Sequence, residues 1–420
     1  MKFPTPSFSR AALGAAVLAA ALYGQARGET YYVAEHGGRD DGVGSAEHPW
    51  RSVGRAESAL HPGDRLVVRE GRYQGPMIIT ASGSPQRPIE VLGQGFPLIE
   101  ADQDAIAVRG SYVELRGFEA HATGWGSAIN IGKRNHHVKI IGNIARDSGC
   151  GGISAEETDY LLIEGNRVFG NARRAPWQCS GISLYQPQAS DQAPGFHNVI
   201  RFNRVYDNMN VFVDNNVSHS EGRTTDGNGI IVDDADHTQG DGPHTAYTGA
   251  TLIMDNIAFN NGGRGVHVFH SSNVAVVNNV LYNNLKDANL QRPAAELSAA
   301  FSRGVVMADN IVAARPGEIG LMDAYTDAAD LWDFNLVTAT RPKLSAQSPV
   351  QWGGHILVGR DPLFVRPGLD PDADFRVRDA SPASRAGAAL RLGGPGLVGF
   401  VSGTPARMGL SRNEGCCGRP

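Results

Sequence analysis

From residue 138 to residue 314 one short pattern keeps returning: an apolar run that ends in asparagine, usually with a second asparagine five residues later. It reads VKIIGNIARDS, LLIEGNRVFGN, VIRFNRVYDN, LIMDNIAFNN and VAVVNNVLYNN, with a last partial copy in VVMADNIVAA. The leading asparagines are read as Asn143, Asn166, Asn203, Asn256, Asn278 and Asn310, which gives a unit of about 22 residues lengthened in places by insertions. A second element follows most of these runs, in SAINIGK, GGISAEE, SGISLYQ, NGIIVDD and RGVHVFH. Each is a small residue leading into a strand whose side chains alternate in and out. Two or three short strands per coil, with asparagines stacked at the bends, predict an all-β chain folded as a right-handed parallel β-helix. An antiparallel sandwich is the alternative, and it gives no reason for the same asparagine register to return.

Aligning the second element on its first apolar residue predicts the faces. Ile129, Ile153, Ile182, Ile230 and Val266 point inward, and so do Ile131, Ala155, Leu184, Val232 and Val268. One outward row holds Asn130, Ser154, Ser183, Ile231 and His267, and the next holds Gly132, Glu156, Tyr185, Asp233 and Phe269. Lys133, Glu157, Gln186, Asp234 and His270 close the strands. Adjacent coils lie about 4.8 Å apart, so Asp233, Asp234, His267 and His270 fall in one patch, with Asp226 in the turn before it and Arg264 one coil on. A pair of aspartates at a strand end is often only a solvated turn; the convergence of Asp226, Arg264 and His267 makes it a candidate site. The same alignment sets Cys150 and Cys179 three residues before matching positions, within disulfide reach; the alternative is two free stacked thiols.

Residues 1–28 read as an export signal, with Lys2 and Arg10 ahead of AALGAAVLAAALYG. No later segment approaches the roughly 18 apolar residues of a membrane span. The expected mature chain is therefore secreted or periplasmic, as one solenoid over 29–400 with a tail at 401–420 and as a monomer. A formal net charge of -5 argues against nucleic acid as partner. An acidic polymer remains a candidate if positive charge or a cation gathers locally; Lys133, Arg173 and Arg174 are the cations near the patch. Cys416 and Cys417 have no evident role.

Residues 30–73 resemble the opening of many bacterial parallel β-helix proteins, with a first strand, a Gly/Asp-rich loop, a short helix around Trp50–Leu60 to cap the open end, and PGDRLVVREGRY. The TDGNG turn, the aspartate cluster and a basic residue one coil on resemble the pectate lyase-like superfamily, and within it, distantly, polysaccharide lyase family 9. That resemblance implies β-elimination on a uronate-containing polysaccharide, with calcium held by Asp226, Asp233, Asp234 and Asp236 and a basic residue taking the proton. Where the family carries a lysine this chain has Ile231, so the expected base moves to the next coil: His267, Arg264 or His270. Tyr185, Lys133 and Trp177 are the candidate substrate contacts, with Trp125 a further exposed ring. Three other readings use the same residues. A mannuronan epimerase-like activity would use the Asp234-Ala235-Asp236-His237 turn; a polygalacturonase-like hydrolase would use Asp226 with the Asp233/Asp234 pair as separated acid and base; and a non-catalytic glycan-binding surface protein would use the patch as a structural turn.

Overall fold

In the computed structural model, residues 28–214, 220–240, 245–328, 330–392, 398–406 and 408 are described. The export signal read at the N-terminus, His244, Cys416 and Cys417 lie outside them, apart from Gly28. The chain winds through three parallel sheets of 11, 11 and 10 strands. The first sheet runs from Thr30–Val33 to Leu331–Asp333, the second from Arg72–Gln74 to Leu357–Val358, and the third from Met77–Ile79 to Arg341–Ala346. From Arg65–Val68 onward each coil visits the three sheets in turn, and each strand pairs with its equivalent one coil away. Parallel crossovers are right-handed, and the fold is a right-handed parallel β-helix.

The third sheet has the register read from the alternation. Ile129 pairs with Ile153, Ile153 with Ile182, Ile182 with Ile230, and Ile230 with Val266. All five are fully buried in the continuous apolar core that fills the solenoid. The Cys150–Cys179 disulfide forms across adjacent coils, with a Cα–Cα distance of 5.2 Å.

A buried asparagine column occupies the bend between the first and second sheets. Asn143, Asn166, Asn203, Asn256, Asn279, Asn310 and Asn335 follow one another, each receiving on Oδ1 the backbone N–H and the side-chain amide of the one before. A second column follows at the next bend through Asn171, Asn208, Asn261 and Asn284 and ends on Glu296, whose Oε1 accepts from Asn284 N–H at 3.1 Å. The reading of Asn278 as a column member is corrected: it has a left-handed φ of 60° and donates to Asp255, while Asn279 occupies the rung.

The expected capping helix around Trp50–Leu60 is also corrected to one 3-10 turn, Val53–Ala56. Trp50 is drawn into a parallel bridge with Val33, and Gly54 and Pro62-Gly63 leave little helix-forming chain. Trp50, Val53, Ala56 and Leu60 are nevertheless buried against the first coils, so the end is covered without a helix. At the other end the parallel strands stop at Leu357–Val358, and two antiparallel pairs follow: Phe364–Arg366 with Asp374–Val377, and Gly387–Leu392 with Val398–Ala406. The latter strand crosses the expected boundary between solenoid and tail. Among the described residues no helix is long and apolar enough to cross a membrane.

Candidate functional site

The patch lies on the outer face of the third sheet, on the strands Ile230–Asp233 and Val266–Phe269. Ile231 pairs with His267 and Asp233 with Phe269, in the predicted rows. Ile231 and His267 point away from the solenoid core, yet each is only 4% exposed. Chain outside the repeat therefore covers this part of the outer face.

Asp226 is buried in the turn that precedes the strand. Asn228 Nδ2 donates to its Oδ1 at 2.6 Å, and Asn228 Oδ1 accepts the Arg264 N–H at 2.9 Å, so one amide links the carboxyl to the next coil. Burial pushes the Asp226 carboxyl up to about 6; the Arg264 charge and the Thr225 and Asn228 hydrogen bonds oppose the rise. Arg264 Nη1 donates to Thr225 O at 2.9 Å, and its buried Nε has no hydrogen-bond partner among the described residues. Burial lowers the guanidinium to about 10, opposed by the Asp226 charge, which leaves it cationic at neutral pH. Asp233 accepts from Gln239 Nε2 at 2.8 Å. A rim of the residue meets solvent, but its carboxyl is packed among protein atoms, and this desolvation, with the Asp226 charge next in size, pushes it up to about 8. The Asp226 charge thus adds to the rise at Asp233, and the two carboxyls titrate apart.

The other two aspartates are turned to different work. The residue closing each of several strands of this sheet, among them Gln186, Asp234, His270 and Phe301, has a left-handed φ, and the chain swings there towards the first sheet. Asp234 folds back over that corner and accepts from Thr238 N–H at 2.7 Å, Gln239 N–H at 3.0 Å and Gln186 Nε2 at 2.8 Å. Asp236 accepts from Ser272 N–H at 3.1 Å and Ser272 Oγ at 2.7 Å. These donors tie both carboxylates into the 234–239 turn. Among the described residues no group of three or more His, Cys, Asp or Glu side chains is placed to hold a metal ion. Of the four aspartates expected as calcium ligands, Asp234 and Asp236 are thus engaged by turn donors.

The candidate bases fall differently from one another. His267 Nδ1 lies 2.8 Å from Ser298 Oγ, and burial, reinforced by the Arg264 charge, lowers its pKa well below the usual imidazole value. It is neutral and weakly basic. His270 is half-buried, lies 2.6 Å from Thr238 Oγ1 and stacks on Phe301; burial lowers it too. Of the candidate substrate contacts, Tyr185 pairs with Asp233 across the register, its hydroxyl raised to about 12 by burial and then by the Asp233 and Asp234 charges. Lys133 is exposed and clasped by Glu156 at 2.8 Å and Glu157 at 2.9 Å. Trp177 is 41% exposed and packs edge-to-face on Trp125.

Sequence reasoning did not anticipate Gln239, Gln186, Ser272 or Asn228 as the groups that fix these carboxyls. Only Asn228, two residues from Asp226 in the DGN turn, carried a local signal. It also missed Asp159, buried where it accepts from Ser190 and Tyr247 and pairs with His197 at 3.0 Å; that cluster ties the insertion after Tyr185 to the solenoid. A separate cleft of about 510 Å³ lies on the outer face of the first sheet, lined among others by Tyr112, His137, Tyr160 and His197. Those four rings stack on each other, and its cations Lys139 and Arg201 pair with Glu114 and Glu164, so it offers no reactive group comparable to the carboxyl pair.

No family model matches the chain, and no curated protein matches it in sequence. Solved structures do resemble it. Pectate lyase Pel9A is 18% identical, with 92% of this chain and 97% of that one covered and a TM-score of 0.46. The lacto-N-biosidase of family GH136 from Eubacterium ramulus is 13% identical, covering 79% and 68%, with a TM-score of 0.45. The A-module of mannuronan C-5 epimerase AlgE6 from Azotobacter vinelandii is 13% identical, covering 79% and 91%, with a TM-score of 0.44. The likeness is one of fold alone and assigns no activity.

Proposed function

We propose that this chain is a polysaccharide-active enzyme that cleaves glycosidic bonds by acid–base catalysis, with Asp233 as the acid and Asp226 as its ionised partner. The observation that carries the reading is the pair itself: two desolvated carboxyls within electrostatic reach of each other, pushed up to about 8 and about 6. Near neutral pH the first holds its proton and the second has lost it. Two carboxyls whose surroundings separate their titration are what glycoside cleavage needs. Asp233 gives its proton to the glycosidic oxygen as the C–O bond breaks. Asp226, kept ionised by Arg264, either takes a proton from an attacking water or attacks the anomeric carbon directly. Water supplies the new hydroxyl in both cases.

A second reading, β-elimination on an acidic polysaccharide, is favoured by one feature. The buried Arg264 Nε, without a partner among the described residues, is suited to a uronate carboxylate, and neutral His267 would take the α-proton, although its lowered basicity weakens that role. Export belongs to either reading; it is supported by the N-terminal sequence and by the Cys150–Cys179 disulfide, a bond that persists in oxidising compartments.

The test incubates purified protein with neutral and acidic polysaccharides, with calcium and with chelator. New reducing ends without ultraviolet-absorbing unsaturated products support hydrolysis, and unsaturated products support elimination. Altered uronate stereochemistry without cleavage would make the chain an epimerase. Binding without turnover would make it a glycan-binding surface protein.

A further inference from the structure

Trp125 and Trp177 are 56% and 41% exposed, although indole is among the side chains most stabilised by burial. They meet edge-to-face with centroids 5.4 Å apart, in the turns that lead into the strands Ile129–Ile131 and Ile182–Tyr185 of the third sheet. The chain around Trp177 is tied to its neighbours. Cys179, two residues beyond Trp177, is in the disulfide. Trp177 O accepts from Asn210 Nδ2 at 2.7 Å, Gln178 Nε2 donates to Thr225 Oγ1 at 2.6 Å, and Arg174 donates to Ala122 O and Asp147 O at 2.8 and 2.6 Å. Because Thr225 adjoins Asp226, the same contacts fix the indole pair relative to the carboxyl pair.

The row between the two carries no charge of its own, and Arg109 Nη1 donates to Asn130 Oδ1 at 2.8 Å. Asn130, Ser154 and Ser183 form one partly exposed outward row, in register with one another. Of the cations near these coils, Arg109 is matched to Asp104 at 3.2 Å and Lys133 to Glu156 and Glu157, while Arg173 and Arg174 donate to backbone carbonyls. A polyuronate lying on this row would meet Glu156 and Asp233 alongside it, with Arg109 and Lys133 held by their carboxylates. From the coil of Trp125 to the coil of Asp226 is three register steps, roughly 14 Å at the spacing of parallel strands, longer than a single sugar ring.

We propose that Trp125 and Trp177, with Asn130, Ser154 and Ser183, form an extended subsite for a neutral glycan chain lying along the solenoid axis. The indoles take the C–H faces of pyranose rings and the small polar row takes their hydroxyls. This rests on the glycan-cleaving reading of the carboxyl pair and names its substrate class.

The test measures binding by calorimetry on the Asp233→Asn protein, which removes turnover, using neutral gluco-, xylo- and galacto-oligosaccharides of increasing length beside oligogalacturonate. At least one neutral series is expected to bind with affinity that rises with length, and oligogalacturonate at least tenfold more weakly. Adding Trp125→Ala and Trp177→Ala should weaken the neutral ligand at least tenfold, and Trp125→Phe with Trp177→Phe should restore most of it, with the disulfide and the circular dichroism unchanged. In the otherwise unaltered enzyme the alanine pair should raise KM on the polymer and leave kcat within about twofold. Tighter binding of oligogalacturonate, or neutral binding indifferent to the indoles, overturns the subsite. Indole-dependent neutral binding in a protein that cleaves nothing supports the subsite and overturns the catalytic reading alone.

Discussion

The asparagine column at the first bend and the carboxyl pair on the third sheet are both made of buried polar side chains on the same repeating backbone, and they treat burial in opposite ways. Each amide in the column meets a carbonyl and each carbonyl meets an amide, with Asn143, Asn166, Asn203, Asn256, Asn279, Asn310 and Asn335 at most 1% exposed and all uncharged. Burial then strengthens every bond. Asp226 and Asp233 are ionisable, are given single amide donors by Asn228 and Gln239, and lie close enough to repel. Their burial is not compensated in the same way, and it appears as raised pKa values. Where this solenoid buries amides it matches partners in kind, and where it buries carboxyls the mismatch raises their pKa values.

Substitutions that break the comparison should differ in which property they change. The largest expected effect is on turnover. Asp233→Asn and Asp226→Asn should each lower kcat by at least about a hundredfold, the scale of a general acid or base, with β-sheet circular dichroism intact. The wild-type pH profile should be a bell whose acid limb follows Asp226 near 6 and whose alkaline limb follows Asp233 near 8. A profile flat across that interval would remove the pair from the reaction.

The column should fail in stability instead. Asn203→Ala leaves two buried donors of Asn166 without an acceptor, and at about 1–3 kcal/mol for each orphaned group the expected loss is about 3 kcal/mol in denaturant unfolding. A loss below about 1 kcal/mol would mean that the column is ornamental.

Glu296 stands between the two regimes, because it is a carboxyl placed where an asparagine would be. Burial raises it to about 8, opposed by the Asn284 hydrogen bonds. A folded-state pKa above the unfolded one gives stability that is complete below the unfolded value near 4.5 and is lost as pH rises through about 8. Glu296→Gln supplies the same acceptor without a titrating proton, so the fall in Tm between about pH 5 and about pH 9 should shrink. An unchanged pH dependence would show that Glu296 is solvated.

The smallest expected effect is that of His267→Ala, within about tenfold in kcat, since a neutral imidazole bonded to Ser298 supports the pocket wall without handling a proton in hydrolysis. A loss of about a hundredfold with unsaturated products would favour elimination.

The solenoid was legible in the sequence because its two signals are periodic and independent. Alternation in NGIIVDD and RGVHVFH fixed which residues face the core, and the cysteines, read from the same register, formed the disulfide. The asparagine column was legible except where two asparagines adjoin. In VAVVNNVLYNN the pattern alone cannot separate Asn278 from Asn279; the left-handed turn at Asn278 decides it. The capping helix failed because a bridge to Val33 competed for Trp50. In the site, the convergence of Asp226, Asp233, Arg264 and His267 on neighbouring coils followed from register. The directions of Asp234 and Asp236 did not, since their donors come from Gln186, Gln239 and Ser272, and burial by chain outside the repeat has no periodic signature.

The first column also has a direction. Every Oδ1 faces the preceding coil, and every amide donates both to the Oδ1 of the following rung and to a carbonyl of the preceding coil, so loss of a side chain at one rung strands donors, and a carbonyl, on the N-terminal side. The C-terminal neighbour still receives a backbone N–H from the altered residue, which any substitution but proline retains. Damage should therefore spread towards the N-terminus: in amide exchange, Asn203→Ala should loosen the coil of Asn166 and spare that of Asn256. The bends of this solenoid act as one-way couplings between coils that otherwise look interchangeable.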